Sequence, residues 1–262
     1  MIVRAAKWRN EEAISIVHEK CSLVITTSIG PRIISLTYKS SENLLYEDET
    51  GFGVEDWKLM GGHRFTTAPE DAASYYPDNA PCKAEYEQAV VRITAPMRPD
   101  RLQLAIEIQG ADKGKGFIIT HLLHNHGQTT WHGALWAITC IPRFYNAVAS
   151  CTTKEIKYWP DTEPANWTVT DGVMSINPGD FRGKTGWHEK EGWLGASCNG
   201  TSLTIAHRER TSPADCADNG CNLEMFACSN WIELETLGKL ETLGPGECAK
   251  HQQEWILSSD EN

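Results

Sequence analysis

The chain has 262 residues, with 24 Lys and Arg against 35 Asp and Glu and a formal net charge of −11. That length supports one large core, the acidic balance argues against nucleic acid, whose phosphates call for a basic surface, and no run of about 18 apolar residues offers a membrane span. No linker, low-complexity tract or fixed-period repeat divides the sequence, so a single domain over residues 1–262 is expected.

From the N-terminus, "MIVRAAKWRNEEAISIVHEKC" carries early charges and no apolar segment before a small-residue cleavage site, so a secretory leader is not expected. Within it, "WRNEEAISIVHE" reads either as a helix or as extended chain. "CSLVITTSIGPRIISLTYKS" reads as two short strands around a Gly30-Pro31 turn. In "RLQLAIEIQG", Leu102, Leu104, Ile106 and Ile108 alternate onto one face, as in a half-buried strand. "GFIITHLLHN", "WHGALWAIT", "SLTIAHRE", "NLEMFAC" and "WIELETL" follow, most of them bounded by Gly, Asn, Asp or Pro. So many short strands predict an all-β chain built as a large sandwich of antiparallel sheets. Nine scattered cysteines without a CxxC pair predict reduced thiols in a cytoplasmic compartment rather than a disulfide framework or a zinc ribbon. The sequons at Asn166 and Asn199 are then chance matches.

Four stretches carry side chains suited to chemistry. In "GGHRFTTAPE", Gly61 and Gly62 permit a tight turn from which His63 and Arg64 can be aimed together at a polyol or a carboxylate. The structural alternative has Arg64 paired with Glu70 or Asp71. In "WIELETLG", Glu233 and Glu235 share one strand face. That face is either solvated or concave. In the concave case burial and the like-charge neighbour raise one pKa and create a general base. "THLLHNHGQTTWHGALWAITC" places His124 and His126 close together, but no carboxylate stands at ligand spacing, and no metal site is expected there. "FRGKTGWHEKEGWLGA" looks like a loop, with Lys184 either solvated or paired with an anionic sugar. Ten tryptophans divide between core packing and sugar stacking, with Trp136, Trp187 and Trp193 the candidates for the second use. Serine-hydrolase, phosphate-loop, zinc-protease and dinucleotide fingerprints are lacking.

"PRIISLTYKSSENLLYED", "GGHRFTTAPE", "ALWAIT" and "WIELETLGKLETLGPGECAKHQQEW", taken in that order, resemble the galactose mutarotase-like (aldose 1-epimerase-like) superfamily, over roughly Cys21 to Trp255. The resemblance implies a β-supersandwich of two large antiparallel sheets with a sugar cleft on a concave face. It implies a glutamate base on a late "LET" strand, here Glu235 with Glu233 as the alternative. It makes His63-Arg64 the counterpart of a sugar-gripping pair. The family's acid histidine falls at Trp136, which cannot transfer a proton, leaving His132 or His63 as acids of a changed reaction. Arg64, Trp136, Lys184 and Trp187 are then substrate-binding residues, with no metal or organic cofactor. Two readings follow: an epimerase-type enzyme using Glu/His acid–base chemistry, or a non-catalytic sugar-binding protein. An accessory domain of a lyase or hydrolase is a third. The enzyme requires a histidine across the cleft from a glutamate; the binder requires tryptophan and arginine there instead.

Overall fold

Alternation of side chains sets the architecture. Along Cys248–Ser259, Ala249, His251, Gln253, Trp255 and Leu257 turn inward while their neighbours are open or only partly covered. In the computed structural model, which describes residues 1–259, such strands form two large antiparallel sheets of eleven and ten strands. The "WRNEEAISIVHE" stretch is extended, contributing to the hairpin of Ile2–Trp8 and Glu11–His18. Among the described residues helical structure is limited to short 3-10 turns, and no helix is long and apolar enough to cross a membrane.

The two inner faces meet in one core. Ile16, Leu23, Leu36, Phe65, Leu135 and Leu234 come from the first sheet, against Ile93, Ile106, Phe117, Ile119, Leu123 and Trp255 from the second. A second apolar cluster covers the opposite face of the first sheet, with Trp57, Ala134, Trp136, Ile138, Cys140, Trp231 and Leu237. Being covered on both sides, the strand Trp131–Pro142 reads as a continuous apolar run, "ALWAITCI", rather than an alternating one. All nine cysteines are free.

Two expectations from sequence are corrected here. Gly61 and Gly62 do turn the chain, at φ of 82° and 67°. A Cβ on Gly62 would stand 2.2 Å from the Ile33 carbonyl oxygen, so only glycine fits the close approach. The turn, however, opens directly into the strand His63–Ala68, and the strand's alternation sends His63 and Arg64 to opposite faces. His63 enters the inter-sheet core, fully buried, with its ring edge against Trp255. It is therefore not a cleft acid. "FRGKTGWHEKEGWLGA" is likewise not a loop, since Gly183–Trp187 and Gly192–Cys198 are strands.

The imidazole of His63 belongs to a row of buried histidines between the sheets. His121 Nδ1 lies 3.1 Å from the His251 carbonyl oxygen, which can only accept, so His121 carries its proton on Nδ1. Its Nε2 then accepts from His63 Nε2–H at 2.8 Å, and His63 Nδ1 accepts from the Thr139 hydroxyl at 2.9 Å. Burial pushes His63 down to about 3 and His121 well below its ordinary value, so both rings are neutral.

Candidate functional site

The outer face of the first sheet carries the polar candidates. Strand pairing sets Ile138 opposite Arg64 on one side and Glu235 on the other, while Glu224 lies opposite Glu235 and Phe226 opposite Glu233. Lys184 joins from the next strand, opposite Phe226. Above them opens a cleft of ≈ 510 Å³. The small hairpin of Gly53–Val54 and Trp57–Lys58 forms one wall. Arg32 anchors that hairpin: its buried guanidinium donates to the carbonyls of Lys58 and Leu59 and pairs with Asp78 through both Nε and Nη2. Trp159, Asp161, Arg182, Glu70 and Tyr75 also line the cleft. A neighbouring cavity of ≈ 370 Å³ shares Trp57 and Arg64 with the cleft.

The floor is an ionic cluster sealed by indoles. Lys184 Nζ stands 2.7 Å from Glu224 Oε2 and 2.8 Å from Glu235 Oε2, and Trp136 Nε1 donates to the same Glu235 oxygen at 2.6 Å. The ammonium sits over the Trp136 ring at 4.4 Å and the Trp159 ring at 5.2 Å. Burial alone would lower the lysine pKa, but the two carboxylates outweigh it, so the ammonium is held above its usual range. For Glu224 burial is the largest influence and raises the carboxyl well above normal, against the pull of Lys184. Both carboxylates are fully buried.

Glu233 differs from both. It is half-buried, lines the cleft, and accepts at Oε1 from Trp231 Nε1 at 2.9 Å. Burial, followed by the nearby Glu235 charge, pushes it up to about 7, although Trp231, Arg64 and Lys184 pull the other way. A carboxyl poised there can take or release a proton near neutral pH. Arg64 sits over the Trp57 ring at 4.7 Å with its Nη1 at 3.5 Å from the Ser74 carbonyl oxygen, rather than paired with Glu70 or Asp71. Tyr75 donates to Glu70, and burial together with that carboxylate holds its phenol above the ordinary value.

Of the residues expected from sequence, the structure gathers Glu233, Arg64, Trp136 and Lys184 around the cleft, with Glu235 sealed beneath Lys184 and Trp136. Three lie elsewhere. His63 faces the core. His132 is exposed at the start of its strand, 3.1 Å from the Thr242 hydroxyl, and does not line the cleft. Trp187 is fully buried between the sheets, where its Nε1 donates to the Ser150 carbonyl at 2.7 Å, so it cannot stack on a ligand. Residues that sequence reasoning passed over include Trp57, Trp159, Trp231, Arg182 and Glu224. The last was findable: a glutamate between Leu223 and Met225 in an apolar strand needs a cationic partner.

No protein-family model matches the chain, and no curated protein matches it. Solved structures do. A TPR-domain-containing protein of Parabacteroides distasonis superimposes with a TM-score of 0.70 at 16% identity; the match covers 96% of this chain and 48% of that one, so this chain spans about half its length. A galactose mutarotase-like protein of Lactobacillus casei gives 0.62 at 11% identity, covering 94% of this chain and 100% of that one. An Escherichia coli protein provisionally assigned as an aldose 1-epimerase gives 0.66 at 10% identity, covering 98% and 99% respectively. At these identities the likeness establishes the fold: the chain is an all-β supersandwich of the galactose mutarotase-like type.

Proposed function

We propose that this protein binds a neutral sugar or short oligosaccharide in the cleft above Glu233, without Glu/His mutarotation. One observation carries the reading: among the described residues, no histidine lines the cleft, whereas four tryptophans and two arginines do. Indole faces pack on the C–H faces of a pyranose, while guanidinium and carboxylate groups hydrogen-bond its hydroxyls. Anomeric exchange by contrast needs an acid for the ring oxygen at the moment the base takes the hydroxyl proton. Lys184 is engaged by two carboxylates and Tyr75 by Glu70, so neither proton is free.

The charge distribution also revises the expected ligand. An anionic sugar suits Arg64 and Lys184 in isolation, but Glu224 and Glu235 neutralise Lys184, and Glu70, Asp161 and Glu233 face the two arginines. That balance favours hydroxyls over phosphate or carboxylate.

The pKa of about 7 at Glu233 supports a second reading, an epimerase-type isomerase. Its base is then Glu233 rather than the sealed Glu235. Exchange NMR across neutral aldoses, uronic acids and sugar phosphates separates the two. Binding predicts line broadening for a neutral sugar with no faster anomer exchange, weakened about tenfold by Trp159→Ala. Accelerated exchange that Glu233→Gln abolishes would establish the enzyme instead.

A further inference from the structure

Away from the cleft, the end of the strand Thr201–His207 meets the strand Cys248–Ser259, with His207 paired in register to Gln253. His207 and His251 reach the same point from these neighbouring strands, and Glu209 reaches it from the segment that follows. We propose that His207, Glu209 and His251 form a binding site for one divalent transition-metal ion of the zinc class.

The three ligand atoms lie within 4.8 Å of one another. Glu209 Oε2 is 3.5 Å from His251 Nδ1 and 3.9 Å from His207 Nε2, separations too long for good hydrogen bonds. Both imidazoles are 1% exposed. Even so, both ring nitrogens of His207, Nδ1 of His251 and Oε2 of Glu209 have no hydrogen-bond partner. Buried polar atoms are ordinarily satisfied, and three of these, His207 Nε2, His251 Nδ1 and Glu209 Oε2, converge on one point and call for an occupant. Two imidazole nitrogens and a carboxylate oxygen are the donor set that zinc and its first-row neighbours favour. Zinc bonds of about 2.0–2.2 Å set tetrahedral ligand atoms about 3.4 Å apart, close to the 3.5 and 3.9 Å that separate Glu209 Oε2 from the two imidazole nitrogens.

The surroundings suit metal ligation. His251 Nε2, the nitrogen facing away, stands 2.6 Å from the Thr236 hydroxyl, which also accepts from Gln253 Nε2 at 2.8 Å. Such an outer contact fixes the ring and leaves Nδ1 for the ion. A Cβ on Gly238 would come within 3.3 Å of that Nδ1, so glycine keeps the space open. An ion here ties the segment after His207, which leads to Glu224, onto the second sheet.

One surface group competes for metal. Exposed Cys248 lies 3.5 Å from His124 Nε2, and the His124 and His126 rings stack at 6.0 Å. The test therefore uses the metal-stripped full chain titrated with Zn²⁺ by calorimetry and with Co²⁺ by visible absorption, following the unfolding midpoint with each. The proposal expects one Zn²⁺ per chain, a midpoint that rises with zinc, cobalt d–d bands and no response to Mg²⁺. Glu209→Gln should weaken Zn²⁺ binding about 100-fold, beyond most outer-shell effects, and His124→Ala should leave it unchanged. Glu209 is partly exposed and the amide keeps its shape, so this variant decides the matter even where His207→Gln fails to fold. Lack of stoichiometric binding, a midpoint indifferent to zinc, or binding lost with His124→Ala but kept in Glu209→Gln overturns the proposal.

Discussion

Lys184 holds two buried carboxylates, so the charge it neutralises is more than its own. Glu224 and Glu235 face each other across paired strands, and without the ammonium one of them must take up a proton or separate. Lys184→Met keeps the length and the apolar stem beneath Trp136 and Trp159 while removing the cation. Breaking a buried ion cluster from one side costs about 3–5 kcal/mol. In the variant the buried Glu224 carboxyl, already held above its ordinary value, loses the cation that pulls it down, so the folded state binds more protons than the unfolded one and stability falls as pH rises. Urea unfolding should therefore show the larger loss at pH 8 and a smaller one at pH 5. A loss under about 1 kcal/mol at both would mean that water reaches the floor of the cleft. The same burial explains why Glu233 and Glu235, equivalent in the sequence, differ in place. They share a face, as period two requires, but the order of burial along it depends on Lys184 and Trp136, which arrive from strands far away in the chain.

At the scale of elements, the strands were legible wherever one face was apolar and the other polar, as in Leu102–Gly110. They were hidden where glycine replaced bulk. In "FRGKTGWHEK" the strand Gly183–Trp187 looks like a loop because Gly186 makes room for a neighbour: a Cβ there would press on the Trp159 ring at 3.1 Å. Among the cleft tryptophans, Trp231 could have been found from period two, since it stands two residues before Glu233. Trp57 and Trp159 could not, because a hairpin and a loop carry them to the cleft by tertiary packing alone. The glycine pair before His63 signals a turn, but the alternation that follows it decides which side chain the cleft receives. Gly62→Ala tests the role of that turn. Its φ of 67° and the 2.2 Å approach to the Ile33 carbonyl oppose any side chain, so a loss of roughly 2 kcal/mol or more is expected. Because Arg64 follows two residues later, the variant should also bind sugar more weakly. An unchanged unfolding midpoint would show that the turn relaxes freely.

For the whole molecule, groups on the two faces of the first sheet respond to acid in opposite directions. Glu233 titrates at about 7 in the folded chain against 4.5 for the unfolded reference, so its contribution is fully present below pH 4.5 and is lost as pH rises through 7. His63 titrates at about 3 against 6.5, so its contribution is present above pH 6.5 and is lost as pH falls towards 3. His121, depressed by the same burial, follows His63. Between pH 6.5 and 4.5 acid thus strengthens the cleft carboxyl while it weakens the histidine row, and the two slopes oppose. Below 4.5 the unfolded glutamate is protonated as well, the opposition ends, and each neutral buried histidine costs about 1.4 kcal/mol per pH unit. One carboxyl offsets only about one of the two histidines, so stability should fall gently from pH 6.5 to 4.5 and about twice as steeply beyond. Urea midpoints at pH 6.5, 4.5 and 3.5 read the curve, with His63→Gln as the internal control. That variant should lose about 1 kcal/mol less than the parent across the last interval, because glutamine has no proton to gain in the unfolded chain. Equal losses in variant and parent would mean that His63 is protonated inside the folded protein, and the neutral chain from Thr139 through His63 to His121 would then be wrong.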